Sequence, residues 1–366
     1  MWVIAILGMA TGFAESVLGQ LYKVKDANGE YRGGPAYYIQ QGLNKRWLAI
    51  AFSLCLFLGY GFIFSAVQAN TITDALNNAY DIPTNYSGLA IIFVAGLIVI
   101  GGLRAIARFA EWVVPFMAVT YVSVTIVITI MNIDLVPDML LNIVYSAFGL
   151  QEAGAGAMGA AFKNGVQRGL YSNEAGSGSV PHAAAAATPN PNHPVSQGYV
   201  QMLGVFIDTM VLCTCSAIVI LLAGGSSNEG MEGIRLTQSA MTSHLGSGGA
   251  DFVAAAITLF AFTSVVANYA YGESNLHMFK LDNKIGKAAY TIGYLAMIYW
   301  GASANLPEVW AAADMALGLM TVINISALVW MTPTIVSISQ DYFKKRKAGK
   351  SMEYKAGDCE IQGKSE

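Results

Sequence analysis

An all-α, polytopic membrane protein is the fold class this sequence predicts, and three observations predict it. Of 366 residues, 55% are hydrophobic and only 12% are charged, against roughly a quarter charged in ordinary soluble domains. At a mean hydropathy of +0.49, the apolar residues fall into runs of about 17 to 25, the length that crosses a bilayer as a helix. Nearly all of the 20 Lys and Arg residues lie in alternate loops between those runs, as the positive-inside rule requires. The net charge of −3 carries none of the basic excess of a nucleic-acid-binding domain, so no nucleic-acid partner is expected.

The predicted spans are, in order, residues 2–21, 48–70, 87–103, 111–131, 140–162, 197–223, 250–272, 286–304 and 309–338, nine in all. Lys23, Lys25, Arg32, Lys45 and Arg46 follow the first, Arg104 and Arg108 the third, and Lys163 and Arg168 the fifth. Lys280, Lys284 and Lys287 follow the seventh, and seven more lie between Lys344 and Lys364. Only Arg235 is left for the opposite side, whose loops carry Asp74, Asp81, Asp134, Asp138, Glu229, Glu232 and Glu308. Met1 is therefore expected outside and the C-terminus in the cytoplasm, with residues 1–340 forming one transmembrane domain and 341–366 a basic cytoplasmic tail. The opening run, Met1 to Leu7, has neither a basic n-region nor a small-residue cleavage site ahead of it, so it does not read as a signal peptide. Cys55, Cys213, Cys215 and Cys359 sit mostly within apolar runs, and Cys213-x-Cys215 lacks the spacing of a zinc or redox motif. They read as small core residues.

One stretch breaks the membrane pattern. From Gly149 to Thr188 the chain reads GLQEAGAGAMGAAFKNGVQRGLYSNEAGSGSVPHAAAAAT, small residues around a charged and amide cluster, followed by an Ala-rich segment that reads as a second half-helix. Gly-rich polar sequence at membrane depth is tolerated only where it lines a cavity or is packed in protein. Such broken helices are where transporters hold carboxylates and alkali cations. The break is expected between about Arg168 and Gly178, with Asn173 and Glu174 capping the freed ends. The alternative is a re-entrant loop whose small residues serve close packing.

Other polar residues at membrane depth are Glu15, Gln68, Asn70, Asp208, Thr209, Thr263, Ser264, Asn268, Asp314 and Asn324. Intramembrane carboxylates are costly and count as functional candidates, although Glu15 and Asp208 could equally hydrogen-bond between packed helices. Thr263 and Ser264, adjacent in mid-span, offer two neutral oxygens of the hard type that an alkali cation needs.

The blocks MWVIAILGMATGFAE (1–15), GGPAYYI (33–39), VQANTITDAL (67–76), RGLYSNEAGSGSVPHAAAA (168–186), HPVSQG (193–198), FIDTMVLCTCSAIVI (206–220) and LFAFTSVVANYAYGE (259–273) resemble those of the alanine or glycine:cation symporter family, the sodium:alanine symporters. The resemblance runs to the tail, and its SNEAG block is highly specific. It implies a leucine-transporter-like fold, two inverted repeats of five helices with the first helix of each repeat broken at the substrate site. It implies sodium-coupled symport of alanine or glycine across the cell (inner) membrane, with sodium as coupling ion, no cofactor, and the lipid bilayer as surroundings. Residue by residue, it implies substrate contacts from Gln68 and from Tyr171, Asn173 and Gly176 of the broken helix. Thr263 and Ser264 match a hydroxyl pair that completes a sodium site with carbonyls of the family's first helix. That helix should precede the block that opens this sequence, so the chain reads as a member shortened at its N-terminus. A non-transporting remnant is accordingly the second reading. Two departures stand out: Tyr171 where the family usually has Phe, and Gly12 where it usually has Lys.

A reading of another class, an intramembrane hydrolase, would need Ser177 or Ser179 with His182. No G-x-S-x-G elbow is present to support it, and the chain is expected not to be an enzyme.

Overall fold

The computed structural model describes all residues except 26–28, 30, 101–102, 149–154, 225–230, 277 and 356–366. Its helices are α1 (Trp2–Leu21), α2 (Pro35–Gly42), α3 (Arg46–Tyr80), α4 (Thr84–Ile100), α5 (Leu103–Met131), α6 (Val136–Ala147), α7 (Ala155–Asn173), α8 (Val180–Ala186), α9 (Pro194–Leu222), α10 (Gly233–Leu245), α11 (Gly248–Leu276), α12 (Lys284–Ser303), α13 (Leu306–Trp330) and α14 (Thr332–Lys347). A two-residue hairpin, β1 (Val24–Lys25) with β2 (Tyr31–Arg32), pairs Val24 with Arg32 after α1. Among the described residues, α1, α3, α9, α11, α13 and the part of α5 from Glu111 to Met131 are six helices long and apolar enough to cross a membrane, and α4 is a shorter apolar helix.

Lipid-facing and protein-facing sides separate cleanly along these helices. On α4, Tyr86, Leu89, Phe93 and Leu97 recur at helical spacing and are all exposed, while Ile91, Ala95 and Val99 are buried against α3, α11 and α12. A continuous exposed apolar stripe of this kind is what a bilayer, and not water, would cover. A second packed group joins α1, α2, α3 and α13 around Tyr22, Tyr38, Phe52 and Met320. A third joins α5, α9, α10 and α11 around Tyr121, Val219 and Met241. Small residues set the closest crossings: a β-carbon at Gly19 would come within 2.8 Å of the Pro181 carbonyl, so α1 and α8 meet only because that position has none.

Two of the predicted spans need correction. Run 140–162 is not one helix: α6 ends at Ala147 and α7 begins at Ala155, with 149–154 outside the described residues. Hydropathy merges them because Ala and Gly score as apolar without specifying chain direction. Run 309–338 divides at Met331, since Pro333 in the first turn of α14 supplies no N–H to continue α13. Of the predicted basic tail, 341–347 completes the helix Thr332–Lys347, and 356–366, with Cys359 and Lys364, lies outside the described residues.

The direction of α7 corrects the charge assignment as well. Gly165 lies beside the Met1 nitrogen, Gly169 against Ile4, and Gly8 against the Asn173 side chain. α1 and α7 therefore run parallel, and both start at the Met1 end. Lys163 and Arg168 belong to that end and not to the basic end holding Lys23 and Lys45. Sequence order alone had placed them after a crossing that the chain does not make.

Candidate functional site

α7 stays helical through Asn173, five residues beyond Arg168, and the chain becomes helical again only at Val180. Glu174 (φ 56°), Gly176 (φ 91°) and Gly178 (φ 93°) all take left-handed backbone. At Gly178 the requirement is double, since a β-carbon there would also come within 2.6 Å of the Pro35 ring. Unwinding frees backbone groups that must find partners, because residues 175–180 are buried. Asn173 Oδ1 accepts from the Ala175 N–H at 3.0 Å, the Ser177 N–H donates to the Glu174 carbonyl at 3.1 Å, and Ser179 Oγ donates to Glu174 Oε2 at 2.6 Å. Asn173 and Glu174 thus act at the break as their side chains suggest.

The Gly176 carbonyl is held from outside the segment. Asn324 Nδ2, from the middle of α13, donates to it at 3.0 Å and also to Glu15 Oε1 of α1, while Tyr38 Oη of α2 donates to Asn324 Oδ1. Glu15, Asn324 and Tyr38 have no exposed surface. Glu15 Oε2 has no hydrogen-bond partner among the described residues, with the amides of Gly176 and Gly178 beside the carboxylate. Three helices are thereby tied to one carbonyl of the break.

Beside the break is a small cavity of about 150 Å³, well under the roughly 300–1,000 Å³ of sites for drug-sized ligands. Its apolar wall is mostly aromatic: Tyr60 and Phe64 of α3 and Tyr171 of α7, with Leu317 of α13. Its polar groups are Gln68 on α3, Ser172 and Glu174 at the break, and Ser264 and Asn268 one turn apart on α11. Gln68 Nε2 lies 3.5 Å from Tyr171 Oη, and Asn268 Nδ2 donates to Ser65 at 3.3 Å. Two of the helices that face the break loosen into π-helical turns, Gly59–Ile63 in α3 and Phe206–Leu212 in α9, a distortion that recurs at functional sites.

Of the six residues named from sequence, Gln68, Tyr171 and Ser264 line this cavity together. Asn173 lines a neighbouring cavity of about 180 Å³, where its Nδ2 donates to Thr209 Oγ1 at 3.2 Å and where Ser172 binds Asp208. Gly176 faces Ile325 and Thr11, outside both linings. Thr263 is turned back on its own helix, donating to the Phe260 carbonyl at 2.7 Å, and is not among the residues lining the cavity. Glu174, Asn268 and the Glu15–Asn324 pair join the site without having been selected as site residues. The signal for Glu15, Asn268 and Asn324 was their polarity at membrane depth, which does not say which of them meet.

One more contact closes the Met1 end of the cavity. Arg168 Nη2 binds both oxygens of Asp314 on α13 at 2.7 and 2.6 Å, and its guanidinium lies 4.1 Å from the centre of the Trp310 ring, which packs on Tyr171 at 4.6 Å. The pair is partly exposed, at 34% and 22% of side-chain surface, so its contribution to stability is small, about 1 kcal/mol or less. It links α7 to α13 beside the aromatic side of the cavity. Asp314→Asn is expected to lower uptake severalfold while shifting the unfolding free energy by no more than about 1 kcal/mol. The exchange of both residues, Arg168→Asp with Asp314→Arg, is expected to recover part of the rate. A parallel loss of stability and uptake would show the pair to be structural only.

The sequence profile of the sodium:alanine symporter family matches residues 1–356. An uncharacterised transporter of Escherichia coli K12, YaaJ, is 45% identical over 354 residues, which is 95% of this chain and 74% of the relative. The probable sodium/glutamine symporter GlnT of Bacillus subtilis is 44% identical over 350 residues, 96% of this chain and 72% of the relative. The sodium/alanine symporter AgcS of Methanococcus maripaludis is 36% identical over 356 residues, 95% of this chain and 77% of the relative. With a break held by buried side chains from three helices and a small cavity beside it, the protein is a multi-pass membrane transporter and not an enzyme, and it belongs to the sodium:alanine symporter family.

Proposed function

We propose that the protein couples sodium entry to uptake of alanine or glycine by alternating access, with the substrate in the 150 Å³ cavity. The observation that carries this reading is the convergence of Gln68, Tyr171, Ser264 and Asn268 on one small space beside an unwound helix. Freed amides at the break meet the substrate carboxylate, and carbonyl groups with the Gln68 amide oxygen meet its ammonium. Asn173 and Gly176 shape the break that presents those groups. The aromatic wall leaves room for a methyl group or a hydrogen at the α-carbon. Sodium sits near Thr263 and Ser264 and stabilises the outward-open state, so that the amino acid binds after it.

The same proposal takes the arrangement as leucine-transporter-like, with nine passages in which α7 and α8 together form the fifth. Met1 is outside and α14 leads into a cytoplasmic tail, so that 1–340 is one transport domain. The orientation is supported by Lys23, Lys25, Lys45, Arg46 and Lys280 to Lys287 at one end. Of the cations at the other end, Arg168 pairs with Asp314 and Arg235 with Asp74 at 2.5 Å, which leaves Lys163 as the exception to the one-sided distribution.

Sodium-driven uptake of labelled alanine into proteoliposomes tests the function, with potassium replacing sodium as control and glycine and glutamine as competitors. Uptake that is indifferent to the sodium gradient, or displaced by glutamine better than by alanine or glycine, would refute it. Selectivity has its own test. Tyr171→Phe removes the hydroxyl that faces Gln68 and widens the cavity, so the ratio of alanine to glycine uptake should change by a factor of about 5 to 150, the range of roughly 1–3 kcal/mol that one small group contributes. An unchanged competition profile would remove Tyr171 from the substrate wall.

A further inference from the structure

Three cations face one cavity far from the transport site, at the end of the molecule opposite Met1. There an open cavity of about 410 Å³ is lined by Lys25 of the hairpin, Arg46 at the start of α3, and Lys280 in the link from α11 to α12. Gln40 and Gln41 of α2 add amide groups, and Asp282 adds a carboxylate, leaving three cations against one anion. All three cations are exposed, and among the described residues none of them has a salt-bridge partner. They come from three separate elements, brought to one space by the fold.

What borders the cavity narrows the choice of ligand. Trp47, Ile50, Leu54 and Leu58 follow Arg46 along one face of α3 at spacings of three and four residues, and all are exposed, Trp47 by 68%. Across the cavity Leu281 and Ile285 are exposed too, Ile285 by 83%. A soluble anion needs the cations but gives no reason for an apolar stripe running from their edge down a membrane-spanning helix. A phospholipid needs both: cations and amides at headgroup level, and an apolar track for its acyl chains. An exposed Trp beside the cations marks the headgroup level itself.

We propose that this cavity binds the phosphodiester headgroup of an anionic phospholipid of the basic-side leaflet, with its acyl chains along the Trp47–Leu58 face of α3. Lys25, Arg46 and Lys280 meet the phosphate, and Gln40 and Gln41 reach glycerol or headgroup hydroxyls. Because the site spans the hairpin, α3 and the α11–α12 link, an occupied headgroup ties together the segments that anchor α3 and α11, the two helices carrying Gln68 and Ser264. The assignment does not depend on which amino acid is transported.

Native mass spectrometry of the purified protein, released from micelles containing equal phosphatidylglycerol and phosphatidylcholine, tests it. Retained phosphatidylglycerol is expected to exceed phosphatidylcholine. Each of Lys25→Gln, Arg46→Gln and Lys280→Gln should weaken retention roughly fivefold, and the triple variant roughly a hundredfold, on the scale of one membrane-adjacent cation per step. A control triple in the other exposed basic cluster, Lys344→Gln, Lys347→Gln and Lys350→Gln, should leave retention unchanged, and melting curves should show both triples folded. Ile50→Asn with Leu54→Asn should weaken lipid retention but not binding of inorganic phosphate. Equal retention of the two lipids, or an undiminished signal in the cavity triple, would overturn the proposal. So would displacement of the lipid by millimolar inorganic phosphate regardless of acyl-chain length, which would assign the cavity to a free anion.

Discussion

Asn324→Ala is expected to destabilise the protein by about 3–5 kcal/mol and to reduce uptake at least tenfold. The side chain donates to the Gly176 carbonyl and to Glu15, and accepts from Tyr38. All of these groups are buried, so none gains water when Asn324 is removed. Each orphaned buried group costs about 1–3 kcal/mol, and the costs overlap because the three share one network. Tyr38→Phe removes only one of the bonds and should cost about 1 kcal/mol, which keeps the prediction measurable if the alanine variant fails to accumulate. Glu15→Gln tests the other side: its amide would point N–H groups at the amides of Gly176 and Gly178, so it should be worse than its near-identical shape suggests. Thermal unfolding in lipid nanodiscs measures all three. Wild-type stability in Asn324→Ala would mean that the break at 174–179 does not rely on α13.

The second large effect concerns the ion. Ser264→Ala is expected to raise the sodium concentration for half-maximal uptake by about tenfold or more, the scale on which even outer partners of a metal ion act. Ser264 lines the cavity and its bond to the Phe260 carbonyl is long, at 3.5 Å, so its oxygen is available. Thr263→Val should act in the same direction but less, because Thr263 Oγ1 is committed to the Phe260 carbonyl at 2.7 Å and reaches an ion only through its remaining lone pairs. Alanine affinity at saturating sodium should change little in either variant. If Thr263→Val has the larger effect, the ion lies on the far side of α11 from the cavity. If neither variant alters sodium dependence, the hydroxyl pair is not part of the ion site.

Much of the molecule was legible from the sequence because the membrane restricts what a sequence can do. A helix in lipid must satisfy its own backbone and present apolar atoms, so α1 and the long helices α3, α9 and α11 overlap the predicted runs. The break was legible for the complementary reason: glycines and amides at membrane depth have few tolerable uses. Chain direction was not legible. Ala and Gly between α6 and α7 look apolar whether the chain crosses or turns along the surface, and only the packing of Gly165 and Gly169 on the start of α1 shows that α7 begins at the Met1 end.

The sequence by itself determined the class of the protein, the course of most of its long apolar helices, and the place where a helix must unwind, because each follows from local composition in a solvent that tolerates little. Tertiary structure alone decided which polar residues face one another. Thr263 and Ser264 are neighbours in the chain, yet the rotation of about 100° per residue around α11 turns one toward its own backbone and the other toward Gln68 and Tyr171. Glu15 and Asn324 are 309 positions apart and share a hydrogen bond. A buried polar side chain announces in the sequence that it needs a partner, but the partner is set by the packing of whole helices.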